Sequence, residues 1–263
     1  MCGLAGFFHL SGAPADPLWL RPMLQAIAHR GPDGEGFWSE GPCALAHRRL
    51  AILDTSSRAS QPMISANQEW VIIFNGCIYD FQQHRADLEK SGIRFRSTSD
   101  TEVLLEGISK NGIEFVQRVN GMFALAAWHR PSKTLYLCRD RFGVKPLYYW
   151  FNKKTIVFAS EIKAILKYPE YKLALNYKAL AEYFTFQNLF TYQTLFKDIY
   201  LLPQANTITI RSDTKEIVHH SWWDYVFSSF DEGMSFEEAR EGTLFYFKQA
   251  VKRQMVADVP VGA

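Results

Sequence analysis

The chain has 263 residues, 48% of them hydrophobic and 21% charged, which is an ordinary globular balance with enough length for a sizeable core. A net charge of +2 gives no general field for nucleic acid or an acidic membrane surface. The cysteines Cys2, Cys43, Cys77 and Cys138 are scattered without a Cys-x-x-Cys pair, so neither a zinc site nor a disulfide framework is indicated. The apolar stretch Cys2–Leu10 has no basic residues ahead of it and is broken by Gly12-Ala13-Pro14, unlike a signal peptide. No run is long and apolar enough to span a bilayer. A cytoplasmic location is expected, where thiols stay reduced.

Cys2–Leu10 reads as a buried strand, followed by a helix opening with Asp16 as N-cap and Pro17 at its first position. Leu20, Met23, Leu24 and Ile27 mark the inward face of that helix. A loop dense in glycine and proline follows at His29–Gly34. Strand signals then dominate at Ala44–Leu53, Trp70–Phe74, Met122–His129, Thr134–Arg139, Pro146–Phe151 and Thr155–Ala159, several of them nearly continuous apolar runs. Helical patterns lie between them at Phe81–Lys90 and Thr101–Ser109, the second opened by Ser99-Asp100-Thr101-Glu102, which fits a capping box. Further helices are predicted at Ile162–Leu166 and Tyr177–Phe186, then strands around Thr207–Arg211 and Glu216–His220. Ser228–Gly233 reads as a linker. Ser235 opens a long amphipathic helix through Met255, whose stripe of Leu244, Phe247, Val251 and Met255 must pack on something. From pattern alone, the fold is a layered α+β arrangement.

Met1-Cys2-Gly3 carries the chemistry of interest. Removal of Met1, which the small Cys2 side chain permits, leaves a residue with both a thiol nucleophile and an α-amine base. An α-amine has an ordinary pKa of about 7.7–8.0 and is partly neutral near neutral pH. A second-position cysteine is usually incidental, so the rest of the chain has to support this reading.

That support comes from ordered motifs. Cys2-Gly3 is followed by His29-Arg30-Gly31-Pro32-Asp33-Gly34, His47-Arg48-Arg49-Leu50-Ala51-Ile52-Leu53-Asp54, Gln61-Pro62-Met63, Asn75-Gly76, Ser99-Asp100-Thr101-Glu102, Gly121-Met122-Phe123-Ala124, Arg139–Tyr148 and Ala159–Ala164. Together they resemble the N-terminal class II glutamine amidotransferase (glutaminase) domain of glutamine-hydrolysing asparagine synthetase. The resemblance implies an N-terminal-nucleophile hydrolase fold, an αββα sandwich of two mainly antiparallel sheets flanked by helices. It implies a glutaminase domain over residues 1–210, a final strand and linker over 211–233, and the opening helix of a truncated synthetase domain over 234–263. The Val256–Gly262 run resembles the segment before that family's Ser-Gly-Gly-x-Asp-Ser pyrophosphate loop, so the ATP signature is expected beyond these residues.

By the same resemblance, Cys2 would be the nucleophile, and Asn75 and Gly76 would form the oxyanion hole by side-chain amide and backbone N–H. Arg49 would hold the α-carboxylate of glutamine and Asp100 its α-ammonium group. Each has a plainer alternative. Asn75-Gly76 can be a hairpin turn, Arg49 a structural arginine, and Asp100 a first-turn acid complementing the helix dipole. If Ala44–Leu53 is a strand, Arg48 points away from Arg49, so only one of the pair faces a pocket. Arg30, Asp33 and Gly34 would shape a loop over the site. The basic and aromatic block Arg139–Tyr148 could pass for a nucleic-acid patch or a plain hairpin connection. In the family it resembles a loop near the route for ammonia.

One position departs from the family, whose Asn-Gly-Glu-Ile-Tyr-Asn stands here as Asn75-Gly76-Cys77-Ile78-Tyr79-Asp80. Cys77 thus replaces a glutamate that helps bind the substrate ammonium. The implied partners are glutamine and a synthetase domain in cis or trans, with a homodimer also expected and no nucleic acid or membrane. No cofactor or metal is expected for the glutaminase half, while ATP and Mg belong with the synthetase domain. Two rival functions stay open: a glutaminase-like partner-binding module with impaired turnover, and an amidotransferase for another acceptor.

Overall fold

The computed structural model describes residues 1–227 and 233–262. Among these residues, twelve strands form two six-stranded sheets. The first sheet holds β1 (Gly3–His9), β2 (Gly34–Glu40), β3 (Cys43–Arg49), and, later in the chain, a group to which β4 (Met63–Ile64), β5 (Trp70–Ile78), β6 (Gly121–His129) and β7 (Thr134–Arg139) do not belong. That group is β8 (Tyr148–Phe151), β9 (Thr155–Ala159) and β10 (Ile199–Leu201), and β11 (Asn206–Arg211) and β12 (Ile217–Ser221) join the second sheet. The spatial orders are β10-β8-β9-β1-β3-β2 and β12-β11-β7-β6-β5-β4, and every paired ladder is antiparallel.

Side-chain alternation builds the layers. In β1, Leu4 and Phe8 face the second sheet, sharing one core with Leu45 and Phe158 of their own sheet and with Ile73, Trp128 and Leu137 of the other. Ala5 and Phe7 face the other way, onto α1 (Leu20–Ala26) and the later helix α4 (Ile162–Ile165). On the outer face of the second sheet, Ile72, Phe74 and Phe123 pack under α2 (Phe81–Lys90) and α3 (Asp100–Asn111). The result is the αββα sandwich that the resemblance implied. All seven residues of β1 are buried because both of its faces are covered.

Most expected elements form, with informative differences. The predicted first helix splits into a single 3₁₀ turn at Pro17–Trp19 and the short α1, because Pro22 cannot donate to Leu18. The strand expected at Ala44–Leu53 ends at Arg49, and the remainder turns into a loop where Asp54 has a positive φ of 46°. At α3, Ser99 accepts the Glu102 N–H as an N-cap, yet the Glu102 carboxylate goes to Arg96 and Ser97 and not back to Ser99. Among the described residues the reciprocal box forms at Ser235 and Glu238, opening α6 (Phe236–Gln254), which follows α5 (Tyr177–Phe186). Apart from Gly233, the predicted linker lies outside the described residues.

No residue of α6 is buried, and Leu244, Phe247 and Val251 are exposed. The segment after the helix does return to the sandwich. Val256 packs beside the outer core of the second sheet, and Asp258 reaches the loop that follows β3. No helix among the described residues is long and apolar enough to cross a membrane.

Candidate active site

The same alternation sends one set of side chains into the gap between the sheets. Cys2 continues the parity of Leu4 and Phe8; Asn75 and Cys77 continue that of Val71 and Ile73; Arg49 continues that of Cys43 and Leu45. At the end of the gap these residues line one cavity of about 190 Å³, together with Gly76, Asp100, Gln61, Met122 and Lys145. All six residues singled out from the sequence therefore meet. Arg48 has the opposite parity and pairs with Glu35 at 2.8 Å on the outer face.

Cys2 is held on both sides. Its sulfur accepts the Leu50 N–H at 3.3 Å and lies 3.6 Å from the Leu50 carbonyl, to which the thiol donates. Its own carbonyl accepts from Arg30 Nε at 2.8 Å, and Arg30 pairs with Glu161 at 2.9 Å. Burial pushes the Glu161 carboxyl up, but hydrogen bonds from Arg30, Lys163 and His29 outweigh it and hold the group at about 2. Burial also raises the Cys2 thiol above its ordinary value, against the opposing Leu50 hydrogen bond and the N-terminal charge. It lowers the α-amine of Met1.

Asn75-Gly76 is not a turn. The pair sits within β5, opposite Ala124 and Phe123 of β6. Asn75 is 1% exposed, and its Nδ2 has no hydrogen-bond partner among the described residues, which makes it an orphaned buried donor. The backbone of Gly76 follows from its neighbours. Phe74 N–H donates to Gln61 Oε1 at 2.6 Å, and Ile78 N–H donates to Asp100 Oδ2 at 2.9 Å. Gly76 lies between them on the same edge, and its register partner Phe123 directs both its groups to Asp140. The Gly76 N–H consequently points off the sheet edge. A Cβ here would stand 2.3 Å from the Met122 carbonyl oxygen, so only glycine fits.

Charge is split across the cavity. Arg49 is 9% exposed and donates to the carbonyls of Ser56, Leu53 and Asp54, with no carboxylate in ion-pair range among the described residues. Asp100, in the first turn of α3, is pushed up to about 6 by burial, although hydrogen bonds from Ile78 and Thr101 pull the other way. Cys77 is pushed up to about 12 by burial and then by the Asp100 charge, so it presents a neutral thiol. Beneath the cavity, His47 Nε2 donates to the Phe74 carbonyl at 3.0 Å, and burial takes the imidazole down to about 3, leaving it uncharged. Among the described residues no group of three or more His, Cys, Asp or Glu is placed to hold a metal ion.

The sequence matches the glutamine amidotransferase domain family over residues 1–223. This chain belongs to that family. It is 33% identical to asparagine synthetase (glutamine-hydrolyzing) 3 of Bacillus subtilis, across 99% of this chain and 42% of that protein. It is 32% identical to the putative asparagine synthetase (glutamine-hydrolyzing) 2 of Methanocaldococcus jannaschii, across 100% of this chain and 54% of that protein. The glutamine amidotransferase chain thus spans about half the length, or less, of these relatives. The solved structure of the B. subtilis glutamine phosphoribosylpyrophosphate amidotransferase shares its fold with a TM-score of 0.63, over 84% of this chain and 49% of that one, at 19% identity.

Several residues of this cavity have no role in the expectations drawn from the sequence. Leu50 grips the Cys2 thiol through its backbone, which no side-chain pattern reveals. Gln61 closes the edge of β5, and its only sequence signal was its place in the Gln61-Pro62-Met63 motif. Lys145 enters the cavity from the Arg139–Tyr148 block. That block is no basic patch: Arg139 and Asp140 are buried, and Arg141 donates to the carbonyls of Val119 and Gln117.

Proposed function

We propose that this domain hydrolyses the side-chain amide of glutamine through Cys2 as an N-terminal nucleophile. The observation that carries it is the convergence of a held thiol, an orphaned amide donor and an outward backbone N–H on one small cavity that Arg49 and Asp100 also line. Opposite charges there suit the α-carboxylate and α-ammonium of an amino acid. In this reading Met1 is removed, and the Cys2 α-amine accepts the thiol proton. The sulfur then bonds to the amide carbon, Asn75 Nδ2 and Gly76 N–H stabilise the oxyanion, and the amine returns the proton as the C–N bond breaks and ammonia leaves. Water attacks the glutamyl thioester, giving glutamate and regenerating the thiol.

Ammonia is then used to amidate aspartate in a synthetase domain, in cis or trans, with α6 as its opening helix. ATP and Mg are assigned to that domain. The names of the relatives and the return of the chain at Asp258 support this pairing. Intact mass combined with glutamate release tests the reading. Met1 should be absent, Cys2→Ala should abolish turnover, and Cys2→Ser should be severely slowed. Full turnover by a chain that keeps Met1 would overturn the mechanism.

A further inference from the structure

Lys145 is a charged cavity residue whose presence the chemistry above leaves unexplained, and the fold goes to some length to place it. Asp140, fully buried, accepts N–H groups from Phe123, Phe142, Val144 and Lys145, each at 3.0 Å. Arg139, also buried, donates to the Lys145 carbonyl at 2.8 Å and to the Leu202 carbonyl at 2.6 Å. Both backbone groups of Lys145 are thereby fixed, and its side chain runs into the cavity beside the N-terminus.

The residue is only 7% exposed, and its ammonium makes one hydrogen bond, to the thioether sulfur of Met1 at 3.2 Å. A thioether is a weak acceptor. No carboxylate lies in ion-pair range of Lys145 among the described residues. A buried ammonium held so poorly needs a better partner. Removal of Met1 takes away the thioether and creates an amine nitrogen on Cys2 in the same part of the cavity. A neutral amine or a thiolate accepts from an ammonium, whereas a protonated amine repels it.

We propose that Lys145 is a positioning residue for the nucleophile: in the chain lacking Met1, its ammonium faces the new N-terminus and favours the neutral α-amine and the Cys2 thiolate. This rests on the reading of Cys2 as an N-terminal nucleophile. The surrounding charges define the balance. Arg30 acts in the same sense as Lys145 on the terminal amine, and Asp33 acts against both. At the thiol, Arg49 assists and Asp100 opposes. Lys145 itself is lowered by burial and by Arg30, while Asp140, Cys77 and Cys2 raise it.

The test uses the full chain with Met1 loss verified by mass, as parent, Lys145→Met and Lys145→Arg. Two pH profiles are measured: kcat/KM for glutamine, and the rate of iodoacetamide capture of Cys2 located by peptide mass spectrometry. Loss of one charge at roughly 4–6 Å should move the acidic limb of both profiles up by about one unit or more in Lys145→Met. Lys145→Arg should keep the parental limb. Two results overturn the proposal: an unmoved limb in a Lys145→Met protein with its melting midpoint intact, whatever its kcat, or a shifted limb in folded Lys145→Arg. The second remains decisive if Lys145→Met does not fold. Cys2→Ala separates the two readings. Turnover surviving in Cys2→Ala removes the nucleophile assignment itself, whereas a dead Cys2→Ala with an unmoved Lys145→Met limb removes only the role of Lys145.

Discussion

The two walls of the cavity are built in different ways. One wall is strand: the ends of β1 and β5 place Cys2, Asn75, Gly76 and Cys77 by ladder register and alternation, and the N–H groups of Phe74 and Ile78 are tied off on either side. The other wall is the loop Leu50–Ser56, which has no ladder and is held by side chains. Asp33 accepts the Ala51 N–H at 2.9 Å, Asp54 accepts the Thr98 N–H at 2.7 Å, and the Arg49 guanidinium gathers three loop carbonyls. In the proposed mechanism, the atoms assigned to developing charge thus sit where the backbone cannot yield, while the loop wall is assigned the rest of the substrate. Substitutions in the strand wall should strike kcat, and those in the loop wall should strike KM.

The largest effect that sharpens this division is expected at Asn75. Removing one oxyanion donor typically lowers kcat by about 10²–10³. Asn75→Ala should do so with KM little changed, since the proposed mechanism directs the amide at charge that appears only during reaction. Steady-state glutamate release measures both. A rise in KM with kcat intact would instead make Asn75 part of substrate recognition.

Much of this was legible in the sequence, because alternation alone separates Arg49 from Arg48 and aligns Cys2 with the sandwich interior. The strand signals at Thr134–Arg139 and Thr155–Ala159 coincide with β7 and β9. What the sequence hid depends on long-range pairing. Asn75-Gly76 has the composition of a turn, yet β6 pairs straight past it and keeps it in β5. β2 was missed because Gly34, Glu35, Gly36 and Ser39 dilute its apolar signal, although β3 pairs along its whole length. Lys145 reaches the cavity only through Asp140 and Arg139, whose partners lie as far off as Leu202.

Cys77 sits on the strand wall but belongs, by proposed role, with recognition, so it probes whether the division follows architecture or chemistry. It is half-buried and lines the cavity together with Asp100. Cys77→Glu restores a second carboxylate for the substrate ammonium. A hydrogen bond to a charged group contributes about 1.5–3 kcal/mol, so KM should fall roughly ten- to a hundredfold with kcat nearly unchanged. Without glutamine, two carboxylates face each other and the melting midpoint should drop, then recover with saturating glutamine. An unchanged KM would place the ammonium elsewhere.

A smaller effect, about tenfold per pH unit at most, comes from Asp100. Its carboxyl moves from an ordinary 3.8 in the unfolded chain to about 6 in the folded one. The folded state therefore holds its proton more tightly, and this group's contribution to stability is present below about 4 and lost as pH rises through about 6. Glutamine binding should run the opposite way, because only the ionised carboxylate accepts from an ammonium. KM should climb as pH falls below about 6, and Asp100→Asn should flatten that climb at a permanently high KM. A parental KM that stays level from pH 7 to pH 5 would remove Asp100 from the ammonium site.

The smallest expected effect tests how far the loop wall extends. Asp258, beyond α6, accepts the Asp54 N–H at 2.7 Å and donates its own N–H to the Ile52 carbonyl at 2.9 Å. Arg49 donates to the carbonyls of Leu53 and Asp54 in the same stretch, so the clasp and the cavity share one short piece of backbone. Asp258→Ala removes the carboxylate bond and leaves the backbone bond in place. Because the carboxylate is partly solvated, its loss should cost less than a buried charged contact, raising KM for glutamine by roughly twofold to tenfold at constant kcat. Among the described residues no hydrogen bond joins Asp258 to the strand wall, and a fall in kcat at unchanged KM would show that the two walls act as one. If KM moves as expected, the loop assigned to the glutamine site also depends on the clasp made by the segment beyond α6.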